Sequence, residues 1–433
     1  MLLSLLAALL ASDVQGLIDR ARPGDRVVVP SGVHREHLVI SKPLTLDGEG
    51  RAVIDGGGSG TIVSVRAAKV TLRGLTLRAS GDSFTQEDSA VKLEESDDAV
   101  VEDCRLEDVL FGLYVAKSSK CRFRRLWIGG KALEMPRRGD GVRLWYSDDT
   151  TLEEIEMVDS RDFIIWFAKR TLVRNCTVSR GRYGLHYMYC DDNRFENNRF
   201  VENQVGGTIM YSRRISMVGN RFERSRGPSA YGMLLKDADD VVAEGNAFVD
   251  NTRGLYFDNS PQSEEASCRI RRNLFALNDA GVSILSDTRR VFFEANTFAD
   301  NLTHVEKVGS ADPAKNRWEG NYWSDHVVYD ADGDGRGDLP YRPEGSYEDL
   351  VSSHPSLAIL RFSPSVMAIE LAGRLFPIVR GDLKLEDPCP ALRPTVAIGG
   401  DATARTSPVL PALGAALILL PVLARAWARR VFA

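Results

Sequence analysis

The sequence predicts an all-β fold, a right-handed parallel β-helix built from coils of roughly 22 residues and spanning residues 12–320, followed by a short helical C-terminal tail. Three recurrences predict it. Asparagine returns two residues before an aromatic residue at Asn198, Asn220, Asn246, Asn273, Asn296 and Asn316, at intervals of 20 to 27 residues. Glycine-led strands of alternating polarity recur upstream of these asparagines, and charged pairs recur in one slot after the strands.

Composition sets the frame. With 433 residues, 43% hydrophobic and 27% charged, the chain can bury a long core and lacks a disordered composition. A net charge of -5 and a pI near 5.8 argue against a nucleic-acid-binding surface.

Residues 1–11 are almost all Leu and Ala and read as the apolar core of a secretory signal. No Lys or Arg precedes that run and no small-x-small site follows it, so the signal is atypical or the true start lies elsewhere. Export to the periplasm is the expectation. Six cysteines in an exported chain invite disulfides, yet Cys104 and Cys176 occupy one slot three coils apart, too far to bridge. No disulfide framework is expected.

Within the rod, each ladder asparagine suits a tight turn that bonds the coils above and below. Cys104 and Cys176 fill that slot earlier in the chain. Gly184, Gly206 and Gly232 each stand fourteen residues before a ladder asparagine and open a strand. Period-two alternation then points Leu113, Val115, Val142, Leu144, Leu185, Leu235, Leu255 and Phe257 inward. Residues 129–140 and 260–266 read as loops bulging from a corner. The charged pairs alternate in sign, from Asp97-Asp98 through Lys169-Arg170, Asp191-Asp192 and Arg213-Arg214. Their recurrence favours a register-fixing ladder over a catalytic carboxylate pair.

The outward positions of the same strands are unexpectedly apolar. Tyr114, Trp145, Trp166, Met188 and Met210 form a strip that marks a contact surface. His186, Met188 and Cys190 alternate along one strand with Met210 one coil away, a thioether, imidazole and thiol set that suits Cu(I). The other reading is that a loop or partner simply covers them. Past the last coil, Asp330, Asp332, Asp334 and Asp338, with Gly335 between, match the oxygen-rich front of a calcium loop, although Tyr341 stands where the bidentate glutamate belongs. An Asp/Gly turn cluster without an ion is the alternative.

The opening PGDRVVVPSGV, the coil repeats and, above all, Gly320-Asn321-Tyr322-Trp323-Ser324-Asp325 followed by the DADGDGRGD run and Pro340-Tyr341 resemble the NosD family of nitrous oxide reductase maturation proteins over roughly residues 14 to 345. The resemblance implies a periplasmic, non-enzymatic protein. It further implies work with an ABC transporter permease and ATPase and with a copper chaperone, supplying the copper–sulfur centre of nitrous oxide reductase. On this division, residues 321–345 close the rod and residues 346–405 form a tail. That tail carries an amphipathic partner-docking stretch at 365–377, with Met367, Leu371, Leu375 and Phe376 on its apolar face and Pro377 at its end. Residues 408–424 are an apolar run followed by Arg425, Arg429 and Arg430, borderline in length for an inner-membrane anchor. A tail packed on a partner is the alternative.

Two rival readings stand beside this one. β-Helices also carry polysaccharide lyase, hydrolase and epimerase chemistry, for which Asp140, Arg143 and Asp148 are the available residues. A carbohydrate-binding rod would use Trp145 and Trp166 as stacking platforms.

Overall fold

A computed structural model of the chain describes residues 13–285, 288–343 and 385–397, with short pieces at 347, 354–360, 363–366 and 368–369. Residues 1–11 and 408–424, and the side chains of Met367, Leu371, Leu375 and Phe376, lie outside the described residues.

The described chain is a parallel β-solenoid. One sheet holds 12 strands, one per coil, and a second holds 22, with two strands from most coils. A representative coil consists of Tyr183–Met188 in the first sheet and Arg194–Glu196 and Arg199–Val201 in the second. Every strand pairs in parallel with its counterpart one coil away, as in Met188↔Met210 and Phe200↔Phe222. A short helix, Val14–Arg20, starts the rod, with the Asp13 side chain accepting from Gly16 N. From it Gln15 bonds both the N–H and the C=O of Val39. Val39 sits on the first strand of the 12-stranded sheet, so the amide protects an otherwise open edge.

The eight side chains expected inside are buried and belong to the main core. The strand-opening glycines follow from close approach of stacked backbones. A Cβ on Gly184 would meet the Gly206 oxygen at 2.4 Å, and one on Gly206 would meet the Gly232 oxygen at 2.3 Å. Only hydrogen fits at those two positions.

The asparagine ladder runs through Asn198, Asn220, Asn246, Asn273 and Asn296, each Nδ2 donating to the next Oδ1 at 2.9–3.0 Å. Cys176 stands in the preceding rung, its N–H donating to Asn198 Oδ1. The last rung is Asn321, and the assignment of Asn316 to the ladder is corrected. Trp318 pairs with Phe293 while Trp323 pairs with Phe298, so the slot shifts by five residues at the final coil. Asn316 serves another corner, accepting from Val291 N and donating to Thr288 O. A second ladder, Asn251, Asn278 and Asn301, follows five residues behind the first. Beside the ladders an interior stack runs Phe200, Phe222, Phe248, Phe275, Phe298, Trp323, Tyr341, with neighbouring centroids 4.3–5.1 Å apart.

Two of the charged pairs form rungs of the expected register ladder, whereas Arg290 bonds the Ala266 and Ser263 carbonyls instead of Asp240. Arg170 bonds Asp149 and Arg214 bonds Asp192 from one coil away. Asp97, Asp148 and Asp191 accept the backbone N–H of Ser119, Lys169 and Arg213. The second member of each pair is left-handed, with φ of 52 to 61° at Asp98, Lys120, Asp149, Arg170, Asp192, Arg214, Asp240 and Arg290. The pair thus turns the corner as well as bridging coils.

The GNYWSD motif closes the rod. Asn321 ends the ladder, Trp323 extends the ring stack, Tyr322 N and Ser324 N continue the backbone pairing, and Asp325 meets His304 and Tyr341. The returning segment at 385–396 supplies Asp387, fully buried. Its carboxylate accepts from Gly320 N, Asn321 N, Asn321 Nδ2, Trp323 Nε1 and Cys389 N. One side chain therefore terminates the ladder and also holds the Trp323 ring, where a further coil would have done so.

All six cysteines are free, and five of them are buried. Cys190 is among the buried ones, which corrects its place in the outward ligand set. Tyr189 is left-handed, with φ 54°, and this bend breaks the strand alternation. The Cys190 thiol therefore turns inward, accepting from Ala168 N and donating to Met188 O, and burial pushes its pKa up to about 12.

Two measurements check this architecture. Asn273→Ala removes an acceptor and a donor from a buried ladder, and urea unfolding should show a loss of about 2–4 kcal/mol; a loss below about 0.5 kcal/mol would contradict the ladder's role. Native protein should yield about one fast thiol equivalent, from Cys389, to a disulfide reagent, and fast labelling of Cys190 would place that thiol outside after all.

Candidate functional site

Register places the outward strip on one face. Along the fourth strand position the order is Trp145, Trp166, Met188, Met210, each a direct partner of the next. Trp145 is exposed, the other three are half-buried, and all four lie outside the interior core. Glu94 and Ala116 precede this column and Lys236 follows it, so the apolar patch is confined to four coils.

Immediately after this column stands a feature that escaped the sequence reading. Tyr146, Phe167, Tyr189 and Tyr211 are left-handed, with φ of 49 to 54°, and stack ring on ring at 4.8, 5.2 and 4.9 Å. Bulky residues in that region are strained; the stacking and the shared corner geometry offset it. The signal was present as an aromatic residue after the fourth strand position in four successive coils. Because the ring faces are spent on one another, the stack offers mostly ring edges outward. A sugar platform needs an open face, and the Trp166 ring is met by His186 at 5.1 Å.

His186 lies two positions before Met188 and pairs with Thr208. Its ring sits between Trp166 and Tyr183, centroids 5.1 and 4.8 Å away. Its Nδ1 is buried with no hydrogen-bond partner, and Asp162 Oδ2 lies 3.7 Å from it. Behind the histidine is a buried charge cluster. Asp140 pairs with Arg143 and Arg161, and Asp162 pairs with Arg182 and accepts from Tyr183 N. Both carboxylates are fully enclosed. Burial holds the Asp140 pKa above the ordinary carboxylate range despite its two arginines. At Asp162 burial pushes the same way, but the His186 and Arg182 contacts win and keep it low.

This arrangement bears on the enzyme reading. Asp140 and Arg143 do come together, yet Asp140 is sealed and saturated by guanidinium groups, and Asp148 serves the corner ladder. Neither carboxylate meets an open acid–base partner.

The expectation for Tyr114 is corrected: it is buried and not a free contact residue. The 131–138 segment folds back so that Leu133 packs with Leu110, Phe111, Tyr114 and Ala116. The Tyr114 hydroxyl donates to Glu87 at 2.7 Å, and burial with that carboxylate raises its pKa to about 12. Ile164, Thr208 and Leu234, in the same column, are also buried.

At the closing end, ligand oxygens of Asp330, Asp332 and Asp334 lie within 4.8 Å of one another. Asp338 accepts from Ala331 N, and Tyr341 turns away to Asp325. Among the described residues no helix is long and apolar enough to cross a membrane.

Residues 124–327 match the family model described as periplasmic copper-binding protein (NosD). The chain is 27% identical over 391 residues to the probable ABC transporter binding protein NosD of Pseudomonas aeruginosa, covering 87% of this chain and 90% of the relative. It is 26% identical over 374 residues to the protein of the same name from Stutzerimonas stutzeri, covering 81% and 83%. Among solved structures, the A-module of Azotobacter vinelandii mannuronan C-5 epimerase AlgE6 superposes with a TM-score of 0.58 at 16% identity, over 70% of this chain and 93% of that one. PfbA, a surface adhesin of Streptococcus pneumoniae, gives 0.51 at 11%, over 68% and 88%. Identities that low report the β-helix fold alone. The family match through the middle of the rod and the similarity to two namesakes along most of the chain together support a NosD-family protein.

Proposed function

We propose that this chain is a periplasmic accessory of an ABC transporter that handles copper for maturation of the copper–sulfur centre of nitrous oxide reductase. The observation that carries the reading is the register pair Met188↔Met210 with His186 on the same outward face. Two thioethers and an imidazole form a soft, uncharged donor set suited to Cu(I). Copper here is cargo. The description of the matching family, and the naming of two relatives as ABC transporter binding proteins, support the same reading.

The surrounding strip of Trp145, Trp166 and the ring stack supplies the contact surface for a copper chaperone, the transporter or the reductase. The amphipathic stretch 365–377 is the proposed docking element for the permease and ATPase, and residues 408–424 the proposed attachment to the inner membrane. The loop carrying Asp330, Asp332, Asp334 and Asp338 is the proposed calcium clip. Calcium should then raise the thermal midpoint by a few degrees, and Asp332→Asn should abolish that rise.

Competitive titration against a chromophoric Cu(I) chelator tests the main reading. Wild type should bind Cu(I), and the His186→Ala/Met188→Ala/Met210→Ala triple variant should lose at least about tenfold in affinity with an unchanged circular dichroism spectrum. Equal affinity in the two proteins removes copper from this site. Turnover of uronate polymers without copper binding would favour the carbohydrate-enzyme reading instead.

A further inference from the structure

Asp162 has no role in the copper reading as stated, yet the structure buries it completely beside the one histidine of the strip. Enclosing a carboxylate is expensive unless its oxygens are satisfied. Its Oδ1 receives Tyr183 N at 3.2 Å and Arg182 Nε at 3.0 Å. Its Oδ2 also faces Arg182, and His186 Nδ1 lies 3.7 Å away. That gap is just beyond a hydrogen bond. Nδ1 is itself buried without a hydrogen-bond partner, so two complementary groups face each other. The ring is otherwise held by Trp166 and Tyr183, and Arg161, which lies 3.8 Å from Asp162, is shared with Asp140.

We infer that Asp162 is the positioning residue for His186: it takes the Nδ1 proton in a hydrogen bond and so leaves the Nε2 lone pair as the nitrogen donor of the site. The inference rests on the copper reading. Carboxylate–histidine pairs fix tautomer and ring orientation at metal centres, and their loss typically weakens metal binding. The chain supplies the pair from adjacent coils, since Ile164 and His186 are register partners and Asp162 opens the strand of Ile164. Arg182 pairs with Asp162, while Asp140 pairs with Arg143 and Arg161.

The test uses the full chain with ¹⁵N-labelled histidine. In the metal-free wild type the His186 resonances should report a protonated Nδ1 and a bare Nε2. Asp162→Asn, which keeps an acceptor for Tyr183 N, should shift the tautomer ratio toward Nε2–H. It should also weaken Cu(I) binding by about 10–100-fold, and Asp162→Glu should recover part of that loss. A histidine protonated on Nε2 in wild type overturns the inference even if no variant folds. An Asp162→Asn protein with unchanged tautomer and Cu(I) affinity within about twofold of wild type overturns it as well. Wild type that binds no Cu(I), or a His186→Ala protein that binds it normally, sinks the copper reading itself. The tautomer in the metal-free chain separates that failure from a failure of the Asp162–His186 pair.

Discussion

Parallel stacking at a strand spacing of about 4.8 Å is the constraint on which the rest of this molecule depends. Each residue sits between its own counterparts one coil above and one below, so a side chain must be compatible with a near copy of itself. Asparagine meets this demand with a donor and an acceptor on one group. Planar rings meet it by stacking, and small residues meet it where backbones nearly touch. Charges at the corner meet it by alternating sign, as where Asp149 and Asp192 are answered by Arg170 and Arg214, and elsewhere by sharing a counter-ion, as where Arg199 and its register partner Arg221 both bond Glu223. Like charges in that slot would repel at the same spacing.

The same constraint creates the outward apolar column. Stacking turns a residue choice made four times, aromatic or thioether at the end of one strand, into a continuous column over four coils. Met188 and Met210 need no dedicated loop to bring them together; the register does it. The strip also ends sharply, because the next coil returns to Lys236 and Asp237 in the corresponding places.

Much of this was legible in the residues, and the rest was hidden for physical reasons. Inward positions such as Leu185 and Leu235 followed from alternation, since a flat strand leaves no other choice. Cys190 did not, because one left-handed residue at Tyr189 reverses the phase of the alternation, and φ is not written in composition. Tyr114 was misplaced because an insertion more than fifteen residues downstream folds back and places Leu133 on its cluster. Asn316 lay at the right interval but on the wrong corner, as the final coil is closed by a motif instead of another repeat. Asp387 and Asp162 were out of reach by pattern alone: each is a single carboxylate whose partners, Cys389 apart, lie 64 to 67 and 20 to 21 residues away.

The inward turn of Cys190 shapes the chemistry the outer face can offer. A thiolate would hold a soft cation by charge as well as softness, and a carrier so built gives up its cargo slowly. With the thiol sealed in the core and its pKa pushed up to about 12, the face presents only neutral donors. Thioethers and imidazole bind Cu(I) without a net charge to neutralise it, so a partner with a thiolate can take the ion over. On the proposed copper reading, a site for passing the ion onward differs from one for storing it by the direction of a single sulfur, and that direction follows the left-handed backbone at Tyr189.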